Sequence, residues 1–381
     1  MANSQLHVAK TAKNDEFYTL YEDIEAEMKA YTEYNKDVFR DKTILCPCDD
    51  PEWSNFAKYF AARFEKFGLK KLICTSYAKF SGNQHTTEFE KNSPKYNAEK
   101  HDTHGKIFVL EHGIDDFRNV DQKDIYFEYL EGDGDFRSDE VTKLRDEADI
   151  IITNPPFSLF RQFLGWIIET GKQFSIIGNQ NAITYKEVFP LIKDNKVWLG
   201  NGFKGNVGFF ESPYKDIATA GEHREGMIRV SGIMWFTNID HGKRHEPMQL
   251  MTMADNLKYN KRFRKKLEKD YGKLEYPHYD NYEAIEVPFT EAIPSDYDGI
   301  MGVPITFLDK FCPEQFEIVV FRKGEDGKDL VFTSTEERES PVILSYPCST
   351  GVPGLMNNPK DTKVNGKSTY ARITIRRKEH A

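Results

Sequence analysis

The residues of this chain best equipped for chemistry are Asn154, Pro155, Pro156 and Phe157, which follow the apolar run Ile150–Ile152 and Thr153. Neither proline can donate a ladder hydrogen bond, so a strand must end there. Each proline fixes its own φ, which holds the Asn154 and Pro155 carbonyls in set directions. That equipment suits one task, methylation of the exocyclic amine of a nucleobase. The lone pair of such an amine is conjugated into the ring and is a poor nucleophile. Two acceptors, the Asn154 side-chain oxygen and the Pro155 carbonyl, can take its two N–H groups and turn the lone pair toward an electrophilic methyl. Both would bind best as the nitrogen rehybridises. Phe157 can stack on the ring. The same four residues also read as an Asn-Pro turn that merely ends a strand, so the motif alone leaves both readings open.

The elements around the motif must position it. Lys42–Cys46 reads as a strand running into the acidic turn Pro47-Cys48-Asp49-Asp50-Pro51. A helix is expected over Glu52–Phe67, with Trp53, Phe56, Phe60 and Phe64 on one side and Gly68 as its stop. Lys70–Ser76 is the next strand. The three elements make a βαβ unit, right-handed and parallel if both strands share a sheet, and ligands of such sheets sit beyond the strand carboxyl ends. Asp49, Asp50, Thr75 and Ser76 lie there. The turn has no G-x-G-x-x-G pattern, so a dinucleotide is not indicated. Upstream, Ile24, Met28 and Tyr31 predict a helix over Tyr21–Tyr34. Phe17 and Tyr18 precede it and Thr19 is its candidate cap, a segment that reads either as a hydrophobic staple or as one wall of a cofactor pocket. Lys106–His112 and Asp124–Leu130 read as two strands of an insertion. In Gly132-Asp133-Gly134-Asp135-Phe136-Arg137-Ser138 the glycines bend the chain, and Asp135 and Phe136 could face a purine. The plain alternative is a turn capped by Ser138 ahead of a helix. Helices over Ser158–Thr170 and Tyr185–Lys193 and strands over Gln173–Gly178 and Lys196–Leu199 follow. The segment Gly200–Gly205 is flexible enough to cover a ligand, although taken singly it reads as a turn. Gly232–Asn238 is expected to be a strand with exposed aromatics at its end.

The 381 residues suggest two domains, and 39% hydrophobic with 13% aromatic residues is enough to build a sizeable core and to exclude general disorder. No apolar run approaches a membrane span, and the N-terminal residues carry no signal core. Five scattered cysteines argue against a disulfide framework and for the cytoplasm. Cys46 and Cys48 lack a second Cys/His pair, so no metal site is expected. The net charge of −9 argues against nucleic acid unless basic residues cluster. They do. Beyond Asp240 the chain carries Lys258, Lys261, Arg262, Arg264, Lys265, Lys266 and Lys269, interleaved with Tyr259 and Phe263, and a second cluster at Arg376 and Arg377. A charge run is most often a solvated helix face, but in an acidic chain a concentrated basic patch favours phosphates.

Taken together these stretches resemble the EcoRI-type adenine-specific DNA methyltransferases. The resemblance rests on Asn14–Thr19, Leu45–Pro51, Gly132–Ser138, Thr153–Leu159, Gly232–Asn238 and the segment from Tyr279 through Pro304. It implies an α/β fold, a Rossmann-like S-adenosylmethionine-dependent sheet with helices on both faces over residues 1–240, and a mixed α+β target-recognition region over 241–381. It places Phe17, Tyr18 and Thr19 near the methionine part of the cofactor, and Cys46, Pro47 and Asp49 in the turn beneath it. Asp135 and Phe136 would contact its adenine. Asn154, Pro155, Pro156 and Phe157 would be catalytic, with Asn154 also at the cofactor, and Trp235 or Phe236 would offer a second face to the target base. The usual acidic residue for the ribose is missing at the end of the second strand, which leaves Asp49 or Asp50 for that task. The expected substrate is adenine N6 in double-stranded DNA, flipped out of the stack. A functional monomer is expected, with a cognate restriction endonuclease as a candidate partner. RNA, a protein glutamine, N4 of cytosine and a catalytically idle DNA-binding protein stay open as alternatives.

Overall fold

The computed structural model describes residues 18–78, 95–111, 127–211, 224–280, 282–322, 363–364, 367–368 and 372–378. Phe17 and residues 79–94, 112–126 and 323–362 are among those that lie outside them. The chain divides into two compact units, Met1–Gln180 with Leu199–Gly242, and Asn181–Trp198 with Lys243–Ala381.

The first unit begins with β1 (Tyr18–Thr19) and α1 (Tyr21–Tyr34), then β2 (Thr43–Cys46), α2 (Asn55–Ala62), α3 (Phe64–Phe67) and β3 (Lys71–Ser76). After these come β4 (Lys106–Leu110), β5 (Glu128–Tyr129), α4 (Asp139–Glu147), β6 (Ile150–Thr153), α5 (Phe160–Ile168) and β7 (Gln173–Asn179). The edge strand β8 (Trp198–Leu199), β9 (Val207–Glu211), β10 (Met227–Ser231) and β11 (Ile233–Thr237) complete the set. Eight strands form one sheet in the order β5-β4-β3-β2-β6-β7-β11-β8. Its centre, β3-β2-β6-β7, is parallel, while β4 and β11 join antiparallel. The strand order reverses at β2, so the carboxyl ends of β2 and β6 lie side by side with chain leaving them toward α2 and α5. A smaller antiparallel sheet, β1-β9-β10, stands beside it in sequence. Gly232, at φ 73°, lets the chain leave β10 and enter β11 directly.

The central strands carry apolar runs because both sheet faces are covered. Ile150, Ile151 and Ile152 are fully buried. The stripe Ile24, Glu27, Met28 and Tyr31 seats α1, and Phe160, Phe163, Leu164, Trp166 and Ile167 seat α5. Truncating one of these large apolar side chains to alanine costs about 2–5 kcal/mol.

Several expectations need correction. The helix after β2 starts at Asn55, because the Asp50 carboxylate and carbonyl tie Glu52, Trp53 and Ser54 into a turn and Ser54 then caps the helix. It breaks at Arg63, whose φ of −115° is not helical. Thr19 is no cap: Leu20 holds that position without a side-chain hydrogen bond, and Thr19 pairs with Phe210 in a strand. The strands read as an insertion are instead the edge of the main sheet. The helix expected from Tyr185 starts only at Phe189, since Pro190 is tolerated just in a first turn. The glycine segment after β8 is held down rather than open: buried Glu27 accepts from Asn201 N and Gly202 N, both at 3.1 Å.

The second unit carries α6 (Phe189–Lys193), α7 (Met253–Tyr259) and α8 (Lys261–Asp270), with β12 (Ile285–Glu286), β13 (Met301–Val303), β14 (Phe316–Arg322), β15 (Lys363–Val364), β16 (Lys367–Ser368) and β17 (Arg372–Arg377). Its four-stranded sheet runs β12-β13-β17-β14. Thr252 and Asn260 cap α7 and α8. At the sheet's centre Arg372 grips buried Glu286, with Nη2 2.6 Å from Oε1, and the Tyr279 hydroxyl donates to the same carboxylate. Removing either partner of a buried pair of this kind leaves an uncompensated buried charge and is strongly destabilising.

Candidate active site

At the end of β6, Thr153 makes the last ladder contact, opposite Ile176. Half-buried Asn154 and buried Pro155 follow. Pro156 then turns the chain into the short helical turn Phe157–Leu159, closed by Leu159 N to Pro156 O at 2.9 Å. Phe157 is partly buried against the main core. The strand end is thus rigid on one side and free of ladder pairing on the other.

Asp49 ties this end to its neighbour. It is 5% exposed. Its Oδ2 accepts from Thr153 Oγ1 at 2.5 Å and its Oδ1 from Ser54 Oγ at 2.8 Å. Ser54 Oγ in turn accepts from Phe56 N at 3.0 Å, capping α2. Burial pushes the Asp49 carboxyl up to about 7, although both hydroxyls pull it back. The turn that carries Asp49 is clamped by β3: Asp49 N donates to Thr75 O at 2.9 Å, and Thr75 Oγ1 to Pro47 O at 3.2 Å. Pro47 and Cys46 are buried.

Beside the turn, Asn55 Nδ2 donates to Thr19 O at 2.9 Å. The Thr19 hydroxyl itself is buried and has no hydrogen-bond partner among the described residues. Tyr18 is half-buried next to it. Asp50 faces elsewhere. It and Glu52 hold Lys106 Nζ at 3.0 and 2.9 Å. Burial opposes the Lys106 charge, but the two carboxylates outweigh it and hold the lysine above its usual range.

The bend after β5 is pressed against β3. Gly134 has φ 78°, and a Cβ there would run into the Ser76 carbonyl, so the position requires glycine. Asp135 is chelated by Arg137, with Nη2 to Oδ2 at 2.6 Å; this hydrogen bonding lowers its pKa. Phe136 does not face outward. Its ring packs on Phe163 and Trp166 at 4.9 and 5.6 Å and is buried. Trp235 and Phe236 are likewise not the exposed aromatics expected at a strand end. Both are fully buried, because β11 is an inner strand: Trp235 stacks on Phe203 at 5.9 Å and Phe236 packs on Phe160 at 5.1 Å. Neither ring has a face left for a base.

In the second unit the basic run divides by partner. Arg262 pairs with Glu291 at 2.6 Å, Lys266 with Asp270 at 2.5 Å, and Arg264 Nη1 donates to Lys258 O at 3.3 Å. Phe263 and Leu267 bury one side of α8. Lys261, Lys265 and Lys269 recur at i, i+4 and i+8 on the opposite side, are exposed, and form no ion pair among the described residues. Lys258 is exposed on α7. Arg376 pairs with Glu317 at 3.4 Å and Arg377 donates to Ser295 O.

The family described as "Adenine-specific methyltransferase EcoRI" matches residues 5–378. The chain belongs to this family. Among curated relatives of this EcoRI-type methyltransferase, Type II methyltransferase M.EcoRI of Escherichia coli is 44% identical over 334 residues, 86% of this chain and 92% of the relative. Type II methyltransferase M.MpnI of Mycoplasma pneumoniae is 34% identical over 82% of this chain and 83% of its own length. Type II methyltransferase M.MgeORF184P of Mycoplasma genitalium is 32% identical over 97% and 98%. No solved structure gives a significant match.

A methyltransferase of this kind needs a cofactor seat, and the residues present fit one. The unsatisfied Thr19 hydroxyl wants a partner, and it lies on the strand tied to α2, next to the Asp49 turn. Sequence reading alone missed Ser54, Asn55, Thr153, Glu52 and Lys106 of this methyltransferase. The Ser54 cap was discoverable: a serine followed directly by an apolar helical face signals an N-terminus. The long-range pairings of Thr153 and Lys106 leave no local signature.

Proposed function

We propose that this adenine-specific DNA methyltransferase moves a methyl group from S-adenosylmethionine to N6 of an adenine rotated out of double-stranded DNA, with Asn154 and Pro155 as the amine acceptors. The observation that carries the reading is the end of β6, a fully buried strand that stops at two prolines and is braced through Thr153 by Asp49. A Rossmann-like cofactor sheet is supported by the parallel centre β3-β2-β6-β7, the order reversal at β2 and the antiparallel β11. In such sheets ligands sit outside the carboxyl ends at the reversal.

S-adenosylmethionine, when bound, supplies a methyl group on a sulfonium that leaves as a neutral thioether. The chain's own residues do the rest. Thr19 Oγ1, Tyr18 and the Pro47–Asp49 turn hold the cofactor's methionine end, and Asp135 takes its adenine amine while Arg137 keeps that carboxyl ionised. The Asn154 side-chain oxygen and the Pro155 carbonyl accept the two N–H groups of the target amine and rotate its lone pair out of the ring, and one of these protons passes to solvent once the N–C bond has formed. Phe157 supports the ring, and one base–aromatic stack offsets about 1–3 kcal/mol of unstacking. Alignment accounts for much of the rate.

In this reading residues 1–240, apart from the Asn181–Trp198 segment that belongs to the second unit, act as the catalytic domain and 241–381 as the recognition region, with the α8 lysines on phosphates. A monomer suffices, since each step uses residues of one chain, and a nuclease reading the same site remains the candidate partner. The test is methyl transfer from labelled S-adenosylmethionine to unmethylated phage DNA, RNA and protein side by side. Label on duplex DNA alone supports the reading; label on RNA or protein at a comparable rate overturns it.

A further inference from the structure

Resting on the catalytic reading of Asn154, we infer that Thr153 and Asp49 form a positioning device for the target amine, in which one carboxylate locks the end of β6 to the start of α2.

The geometry is specific. Both Asp49 oxygens are used, one by each hydroxyl: Thr153 Oγ1 at 2.5 Å and Ser54 Oγ at 2.8 Å. Ser54 passes the constraint on to Phe56 N at 3.0 Å, and β3 fixes Asp49 itself through Thr75 O at 2.9 Å. Four elements therefore meet at one buried aspartate, through its carboxyl and its backbone N–H: the turn after β2, the start of α2, the end of β3 and the end of β6. Thr153 is the last residue of β6 with a ladder partner. Beyond it Pro155 and Pro156 have no N–H to donate. The Thr153 side chain thus tethers the residue directly before Asn154 to Asp49.

A carboxylate is costly to bury, and sheet closure does not need this one. The ladder pairs β6 with β2 and β7 without it, and Ser54 can cap α2 through its own oxygen. What the carboxyl group adds is a short hydrogen bond, 2.5 Å from Thr153 Oγ1, at the residue adjoining the amine acceptor. Catalytic groups tolerate little misplacement; an error near 1 Å costs about a hundredfold. The tether also joins the turn assigned to the cofactor to the strand end assigned to the base, so the two reactants are held by one hydrogen-bonded group.

The test compares Thr153→Val, Thr153→Ser and Asn154→Ala in the full chain. Turnover is measured on unmethylated phage DNA, binding of S-adenosylhomocysteine by calorimetry, and folding by thermal melting. Thr153→Val is expected to fold, to bind S-adenosylhomocysteine within about threefold of wild type, and to lose about 10- to 100-fold in kcat with KM for DNA little changed. Thr153→Ser restores the hydroxyl and should recover most of kcat, which a purely packing role for the threonine methyl would not allow. Should Thr153→Val fail to fold, Thr153→Ala carries the same test, since it removes the hydroxyl that donates to Asp49 without adding volume. Wild-type kcat in the variant that folds, or a serine variant as slow as valine, overturns the inference. An inactive Asn154→Ala beside an unimpaired Thr153→Val would sink this inference alone; an active Asn154→Ala would sink the catalytic reading beneath it.

Discussion

Asn154 adjoins Thr153, whose hydroxyl donates to Asp49, and Asn154 and Asp49 make opposite demands on the protein. Asn154 is asked to act only as the amine changes hybridisation. Replacing it by alanine should lower kcat by about a hundredfold or more, by analogy with oxyanion-hole donors, while S-adenosylhomocysteine binding, followed by calorimetry, stays close to wild type. Asp49 is a matter of stability as well. Its carboxyl titrates near 7 in the folded chain against an ordinary value of 3.8. Between those values the folded state holds a proton that the unfolded state has lost. This contribution is therefore fully present below about pH 4 and is lost as the pH rises through about 7. Urea melts across that range should show Asp49→Asn gaining on wild type as the pH rises, by on the order of a few kcal/mol at most; a difference independent of pH would contradict the burial argument. The sequence already marked Asn154, because proline and asparagine announce themselves locally. It could not show that Asp49 turns inward to Thr153, a partner 104 positions away, nor that Asp50 is spent on Lys106.

Among the elements, strands with a strong local period were legible. The bounds of α1 follow from Ile24, Met28 and Tyr31, and β6 from three consecutive isoleucines. What failed was the assignment of faces. Trp235 and Phe236 were read as exposed because a strand of aromatics ending in polar residues looks like an edge. The sheet order makes β11 an inner strand, and order is a long-range property. The α8 run poses the converse problem: its charges were visible, their partners were not. With Arg262 and Lys266 already paired, phosphate contact falls to Lys261, Lys265 and Lys269. Reversing these three should lower DNA affinity and reduce the slope of log K against log salt by about one per lysine engaged. Reversing Arg376 and Arg377, which are paired with Glu317 and the Ser295 carbonyl, should leave the slope nearly unchanged. Equal slopes for wild type and the lysine variant, read by fluorescence anisotropy, would return α8 to an ordinary solvated face.

For the whole molecule, a net charge of −9 and a nucleic-acid substrate are compatible because the charge is unevenly spread. The second unit has its own sheet, braced at the centre by the Arg372–Glu286 pair. Removing one partner, as in Arg372→Met, strands a buried carboxylate and should destabilise by about 3–5 kcal/mol, seen as an earlier denaturant midpoint in a chain whose S-adenosylhomocysteine affinity at low denaturant is preserved. Family membership, parallel sheet centre and strand-end chemistry converge on one reaction, and one measurement tests it most directly. The chain and its Asn154→Ala variant are expressed in a host without DNA methylation, and the DNA is hydrolysed and sequenced for modified bases. The account predicts N6-methyladenine at a single sequence context with the wild-type chain and almost none with the variant. N4-methylcytosine, or undiminished N6-methyladenine from Asn154→Ala, would contradict it.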